Sequence, residues 1–599
     1  MNALDLLKDV PYFKNLDEKA LQELLIKGDM IQIRCGHPLM QQGDASDEAY
    51  ILLDGRLRAI LEKEGEEHTI LGEIGRGEIV GELAALFGGE RSATIIALRN
   101  STLLRLGRED FVRLLQEQQG SLLHLTHTIL KRASRSFSPN NGLSAVALVP
   151  ATPNLSLDAF CHELAKAAAR HTSVALLTSA IAGQKLGGKI PVEGDELESL
   201  LAQYEDEHNL VLYQADPKWN KWTEACLSRA DKIIWVADAE QSPEPCLSER
   251  RLTQACLSIN HAAHELVLLH PSHNQYPTGT RHWLAERNLS RHFHIARDHS
   301  GDIQRLARFL TGNAIGVALS TGGMRASVQF GILHAMIEGG IPVDIIGGSS
   351  GGAFIGGVFA QIIAPDEFPR IVKEGEKLFK DSTKLTLPLV SLYSGRKFTQ
   401  IIKALTHSRN IEDLWIDYFC LSLSLVNGSL VIHKEGPMWE AIRASAAVYG
   451  ILPPLIKDSD CLVDGGLINA CPTDLIAKMG AGKTIAVIAS SKSGITVDGA
   501  FSPDVSGWDI LLKKLNPLYR KKIKPSITAN IIQSMLIASD HLQDRIYNDS
   551  SVDLFIHPPI GAIPSMDIQS LSKLYRFGYE YGLAHVEKWK EVLNTPKPD

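Results

Sequence analysis

The sequence predicts a three-part multidomain protein, with an N-terminal β-roll, a middle α/β domain and a C-terminal α/β domain. Three observations carry that reading. The chain has 599 residues, more than one hydrophobic core serves. Its first part, to about residue 110, reads as short β-runs punctuated by glycine, and from about residue 143 short apolar runs alternate with longer helical patterns. Near residue 313 a strand, a glycine-rich turn and a helix begin the pattern afresh. The expected boundaries are 1–132, a linker at 133–142, 143–312, and 313–599 with a core at 315–475.

In the first part the strand candidates are MIQIR, AYILLDGRLRAIL, HTILGEI, SATIIAL and TLLRL. Glycines 36, 43, 55, 75, 77 and 81 fall between them or at their edges, where a small barrel turns. Apolar residues at helical spacing follow from Arg108 to Leu130, and then a polar segment, ASRSFSPNNG, reads as the linker. In the middle part SAVALVP, SVALLT, LVLY, KIIWVA and ELVLLH alternate with helices such as LDAFCHELAKAAAR, the grammar of βαβ units on a parallel sheet.

Composition narrows the classes. The chain is 44% hydrophobic and 22% charged with a net charge of −8, which gives no electrostatic reason to expect nucleic acid. No apolar run reaches membrane-span length, and the N-terminus lacks the pattern of a secretory signal. Eight cysteines are scattered without a CxxC pair or a matching histidine cluster, so we expect reduced thiols and neither disulfides nor a metal. A cytoplasmic protein that meets a membrane only at its surface, on the inner face, is the expectation.

The segments GHPLMQQGDASDEAYILLDGRLRA and GEIVGELAALFGGERSATIIAL resemble the β-roll and phosphate cassette of cyclic-nucleotide-binding domains. Gly81, Glu82, Leu83 and Ala84 open a short helical turn, and Arg91 and Ser92 close the cassette. A cyclic phosphate needs a fixed guanidinium (Arg91) and free amides at a helix start (Leu83, Ala84), and a ribose hydroxyl needs an acceptor, which Glu82 offers. Two readings stand: a module with a cyclic nucleotide as regulatory ligand, or a retained barrel that serves as an interaction surface.

In the third part VDIIGGSSGGAFIGG contains Gly348-Ser349-Ser350-Gly351-Gly352, a G-x-S-x-G between a strand and a small-residue helix. Upstream, VALSTGGMRASVQFGILHAM supplies Gly322, Gly323 and Arg325 in a turn that can aim amides at a developing oxyanion. Downstream, CLVDGGLINACP ends an apolar run with Asp464. In this order the three pieces resemble patatin-like phospholipases. GRKF (395–398), IEDLW (411–415), AIRASAAVYGILPP (441–454) and GYEYG (578–582) extend the resemblance to bacterial relatives of neuropathy target esterase, over essentially the whole chain. The resemblance implies an α/β hydrolase with a Ser350–Asp464 dyad, Ser350 as nucleophile and Asp464 as base. It implies an oxyanion hole at Gly322, Gly323 and Arg325, elbow glycines 348 and 352, a phospholipid or lysophospholipid substrate, and no catalytic cofactor or metal. A triad using His334, His433, His541 or His557 is the competing idea.

Departures from the family pattern leave a second function class open, a nucleotide-sensing scaffold with an inactive hydrolase domain. Thr321 and Ala326 replace the outer glycines of G-G-G-x-R-G, Gly351 stands where a larger residue is common, and Gln329 where relatives often have histidine. If position 321 needs positive φ, Thr321 is strained by roughly 1–3 kcal/mol. Two further segments are set aside. Gly183 to Lys189 matches a phosphate loop, but Ile190 and Pro191 follow where a hydroxyl and a helix belong. The basic run 511–524 reads as a solvated face, with anionic lipid as its alternative partner. The oligomeric state is left open.

Overall fold

The computed structural model describes residues 18–62, 69–117, 145–187, 195–257, 262–362, 364–380, 386–387, 389–489, 551–561 and 570–595, with isolated positions between 506 and 537. The linker at 133–142, the basic run 511–524 and His541 lie outside the described residues. The chain divides into two compact units, residues 1–314 with 477–482, and 315–476 with 483–599.

The first unit opens with a β-roll of two four-stranded antiparallel sheets. Its strands are β1 (Asp29–Ile33), β2 (Pro38–Met40), β3 (Ala49–Asp54), β4 (Leu57–Leu61), β5 (Thr69–Ile74), β6 (Ile79–Val80), β7 (Thr94–Ala97) and β8 (Ser101–Leu106). Gly55 turns β3 into β4 at φ 109°, a conformation that favours glycine. The six-residue helix Glu82–Phe87 follows β6, and the helix Arg108–Glu117 closes the described part of the roll.

A six-stranded sheet follows: β9 (Ala145–Pro150), β10 (Val174–Thr178), β11 (Leu210–Gln214), β12 (Lys232–Asp238), β13 (Ala263–His270) and β14 (Arg291–Ala296). It is parallel throughout, in the order β10-β11-β9-β12-β13-β14. The apolar runs read from the sequence become its buried strands. β14 was not among them, because RHFHIA breaks its apolar run with histidine. At the seam with the β-roll, buried Asp231 accepts from the Ala145 amide and lies 3.4 Å from Arg56 and 3.7 Å from Arg99.

The second unit is a mixed sheet of β15 (Ile315–Leu319), β16 (Ile345–Ser349), β17 (Asp417–Ser424), β18 (Leu430–His433), β19 (Leu455–Lys457), β20 (Asp460–Asp464), β21 (Lys483–Val487) and β22 (Leu554–Ile556). β15, β16, β17, β21 and β22 run parallel, whereas β17 pairs antiparallel with both β18 and β20. β16 is buried along its whole length at the centre.

Two helices meet at very short range in this unit. Ser327–Glu338 packs on the long C-terminal helix Leu571–Asn594, and glycine makes the approach feasible. A Cβ on Gly331 would lie 2.1 Å from the Tyr575 carbonyl, and one on Gly578 would lie 2.1 Å from the Val328 carbonyl. Here the GYEYG segment finds its physical reason. We expect Gly578→Val to destabilise this unit by about 1–3 kcal/mol through overpacking, read by urea unfolding of the full chain. An unchanged midpoint contradicts the packing described.

Candidate active site

β16 ends in Ser349, and Ser350 follows at φ 56° and ψ −117°, capping the helix Gly351–Phe359. A non-glycine residue held there costs of order 1–3 kcal/mol. Neither Gly348 nor Gly352 lies in the left-handed φ region, so torsional freedom is not what they supply. Their role is close approach: a Cβ on Gly348 would lie 2.6 Å from the Gly352 carbonyl carbon, and one on Gly352 2.5 Å from the Leu319 oxygen. The strained angle falls on Ser350 itself.

Neighbouring side chains hold it. The Ser350 amide donates to Ser445 Oγ at 3.0 Å, and Ser349 Oγ donates to the Asn469 carbonyl at 2.7 Å. Ser445 ends the helix Met438–Ser445, and Asn469 lies five residues beyond Asp464. Sequence reading singles out neither, because a serine at a helix end and an asparagine past a turn carry no motif of their own.

Asp464 ends β20 opposite Ser422 of β17, and only 2% of it is exposed. The Ser350 side chain lies beside its carboxylate and favours the charged form, and the Gly466 amide donates to it at 2.8 Å. Tyr449 Oη donates to its main-chain oxygen at 2.8 Å. Burial pushes the carboxyl up to about 6, and Ser350 and the Gly466 amide only partly offset that. Among the described residues it has no ion-pair partner. A buried carboxylate of raised basicity directly beside a serine hydroxyl can take that hydroxyl's proton without an intermediary histidine.

Of the candidate histidines among the described residues, two are engaged elsewhere and the third is exposed. His334 stacks on Phe368, Tyr575 and Tyr579 and bonds the Tyr575 hydroxyl at 2.8 Å, and His433 bonds Ser422 Oγ at 2.7 Å. His557 is exposed.

The glycine-rich loop is tied down from three sides. The Thr321 amide donates to the Ala470 carbonyl at 2.8 Å, the Ser320 amide to Val487 at 3.1 Å, and the Ala489 amide to Ser320 Oγ at 2.9 Å. Gln329 Nε2 donates to the carbonyls of Ser320 and Val487, both at 3.0 Å. The positive φ of this loop falls on Gly323, at 56°, while Thr321 lies outside that region and is unstrained. Gly322 has an extended φ of 174°, and buried Arg325 sits in the single 3₁₀ turn Gly323–Ala326. A Cβ on Gly351 would lie 2.7 Å from the Gly323 oxygen and 2.9 Å from Ala326 Cβ. The loop backbone at Gly323 comes closest, and the Ala326 methyl is accommodated beside it because position 351 carries no side chain. Gly351 does not loosen the elbow; it admits the loop.

In the β-roll the structure brings Gly81–Ala84 and Arg91 together. Gly81 caps the 82–87 helix at φ 78°, and a Cβ there would lie 2.2 Å from Arg91 Nη1. Arg91 is buried and already engaged, donating to the carbonyls of Glu48 (2.8 Å) and Gly81 (3.1 Å) and to Ser46 Oγ (2.6 Å). Glu82 and Ala84 are buried, while Leu83 and Ser92 are exposed. In the middle domain, Gly183 to Lys185 belong to the helix Ser179–Lys185 and form no phosphate cradle. After central β9, where such a loop follows its strand, residues 151–157 contain neither glycine nor lysine.

Family models match three stretches: cyclic nucleotide-binding domain over 30–118, Neuropathy Target Esterase family P-loop like domain over 142–300, and patatin-like phospholipase over 317–477. The chain is 32% identical to patatin-like phospholipase domain-containing protein 7 of Rattus norvegicus, over 94% of this chain and 45% of that protein. It is 31% identical to protein 6 of the same series from Homo sapiens, over 94% and 44%. Lysophospholipase nte1 of Emericella nidulans is 28% identical over 95% and 42%. The chain thus spans less than half the length of these relatives. Among solved structures, the regulatory domain of Toxoplasma gondii PKA with cAMP is 26% identical over 22% of this chain and 49% of its own. Its TM-score of 0.19 is too low to carry a ligand across.

The environment of Asp464 has a consequence for stability. Its carboxyl titrates near 6 when folded, against an ordinary 3.8, so the folded chain holds an extra proton between those values. The stability this supplies is full below the ordinary value and is lost as pH rises through about 6. Asp464→Asn should remove that dependence, so that relative to wild type the variant gains about 3 kcal/mol between pH 4 and pH 8. Urea unfolding at both pH values checks it, and a difference that does not vary with pH rejects it.

Proposed function

Because this chain carries a cyclic nucleotide-binding domain, a neuropathy target esterase family P-loop-like domain and a patatin-like phospholipase domain, we propose that it is a serine esterase acting on fatty-acyl esters of phospholipids or lysophospholipids. The observation that carries the reading is the buried Asp464 carboxylate beside the side chain of Ser350, a serine on a strained elbow. Lysophospholipase nte1, similar over 95% of this chain, supports the substrate class.

Ser350 Oγ attacks the acyl carbonyl while its proton passes to Asp464. The oxyanion is met by amides of the loop at Gly322 and Gly323, within the positive field of Arg325 and the start of the 351–359 helix. Collapse expels the alcohol, which takes the proton from Asp464, and leaves acyl-Ser350. Water, deprotonated by Asp464, then releases the fatty acid. No step passes through a metal or cofactor. The scaffold alternative drew its support from Thr321 and Ala326, and the unstrained Thr321 and the accommodated Ala326 methyl weaken it.

We assign the boundaries 1–132, 143–312 and 313–599 to the three domains. The β-roll takes a cyclic nucleotide as regulatory ligand through Gly81, Glu82, Leu83, Ala84, Arg91 and Ser92. The protein works in the cytoplasm and touches the inner membrane face transiently to reach its lipid, without nucleic acid as a partner. No described helix is long and apolar enough to cross a membrane.

Ser350→Ala and Asp464→Ala should each abolish lysophospholipid hydrolysis, and the double variant should be no worse than either single one, because the two act as a unit. Labelling by a fluorophosphonate should disappear in Ser350→Ala. Wild-type hydrolysis should climb with pH through about 6 as Asp464 ionises. Substantial activity in Asp464→Ala sinks the dyad.

Calorimetry of the full chain with cyclic AMP and cyclic GMP addresses the β-roll. Arg91→Ala should weaken binding by roughly 1.5–3 kcal/mol, a charged hydrogen bond's worth, and leave basal hydrolysis intact. No heat from wild type at millimolar ligand reduces the module to an interaction surface.

A further inference from the structure

The middle domain holds a side-chain cluster that neither the esterase site nor the β-roll uses. His273 lies just past β13, His299 caps the helix Ser300–Leu310 that follows β14, and Asp302 lies in its first turn. Because β13 and β14 are parallel neighbours with His270 opposite Ala296, their C-terminal loops emerge side by side. A donor atom from each of the three residues lies within 4.8 Å of the other two.

The distances within the cluster are those of a ligand set. His299 Nδ1 is 3.3 Å and His273 Nε2 3.6 Å from the same oxygen, Asp302 Oδ1. The two imidazole rings face each other at 4.0 Å with a 30° tilt. Nitrogen and oxygen ligands at about 2.0–2.1 Å from a tetrahedral zinc are separated by roughly 3.3–3.4 Å. Two edges of such a tetrahedron are therefore nearly in place, and the two imidazoles offer donor nitrogens within 4.8 Å of one another.

We propose that His273, His299 and Asp302 bind a divalent transition-metal ion of the zinc class, pinning the loop after β13 to the start of the 300–310 helix. The carboxylate is prepared for the task. Asp302 is 1% exposed, its Oδ2 accepts from the Ala296 amide at 3.0 Å, and its Oδ1 accepts from Arg305 Nη1 at 3.0 Å. Arg305 is itself anchored through Nη2 to the His294 carbonyl at 2.7 Å. Supports of this kind orient a ligating carboxylate. The cost is the Arg305 charge, which Asp298 offsets from the rim, where it accepts from Ser272 Oγ at 2.7 Å and the His273 amide at 2.9 Å. The imidazoles are reached from solvent, since the His299 side chain is 48% exposed and that of His273 14%. Two histidines and one carboxylate, with the remaining position left to water, suit zinc or cobalt better than calcium or magnesium.

The test uses the full chain, stripped with a chelator and titrated with Co²⁺, followed by competition with Zn²⁺. The expected result is one Co²⁺ per chain with the intense visible absorption of tetrahedral coordination, bleached by Zn²⁺. His273→Asn and His299→Asn should each weaken binding at least about tenfold, while His162→Asn, an exposed histidine on another helix, should not. Circular dichroism of each variant confirms that the fold is retained. Asp302 is left intact, because it also holds Arg305 and the Ala296 amide. No uptake at ~0.1 mM metal means a purely hydrogen-bonded His–Asp–His cluster and overturns the proposal. Binding that survives either substitution overturns it too. Hydrolysis is not the readout, so the outcome is independent of the esterase assignment.

Discussion

Ser350 at φ 56° and ψ −117° is the point around which the C-terminal sheet is organised. The strain of about 1–3 kcal/mol persists only where the surroundings over-determine it. Buried β16 delivers the residue from one side, and the 351–359 helix leaves on the other. Ser445 takes its amide, and Ser349 binds the Asn469 carbonyl five residues past Asp464. The same bond that steadies the elbow thus ties it to the segment carrying the carboxylate. Catalytic distance and backbone strain are set by one arrangement.

The electrostatics follow from burial. Asp464 has no ion-pair partner among the described residues, and its negative form is favoured by the Gly466 amide and the neighbouring Ser350 side chain. A carboxylate in that position is more basic than one in water, which is what accepting a proton from a serine demands. A histidine is not required to bridge them, and the two best-placed candidates are committed to Tyr575 and Ser422. The glycine-rich loop contributes fixed amides, held by Ser320, Gln329 and the strand end at Val487. It fits tightly against Gly351, where a Cβ would meet the Gly323 backbone and the Ala326 methyl.

Much of this was legible in the chain. Apolar runs of four to eight residues with glycine between them became strands almost where they were read, since burial on both faces needs a continuous apolar run. The short strands Pro38–Met40 and Ile79–Val80 and the histidine-broken β14 escaped, because two or three residues, or an interrupted run, carry no periodicity. Ser350, Asp464 and the Gly322–Gly323 turn were found through local motifs. The flanking glycines are required by steric approach and not by torsional freedom, a distinction the motif itself does not carry.

What the sequence determined by itself is therefore local: which runs are buried, where turns fall, and which short motifs hold the candidate serine, the carboxylate and the glycine-rich loop. The tertiary structure alone decided which distant groups meet. Ser445 and Asn469 reach the elbow because β17 pairs with both β16 and β20. Ala326 lies against Gly351 because the loop lies on the helix start. His273 meets His299 and Asp302 because β13 and β14 are parallel neighbours. Strand order is a property of the whole sheet, settled by how all its faces bury at once, and no window of sequence contains it.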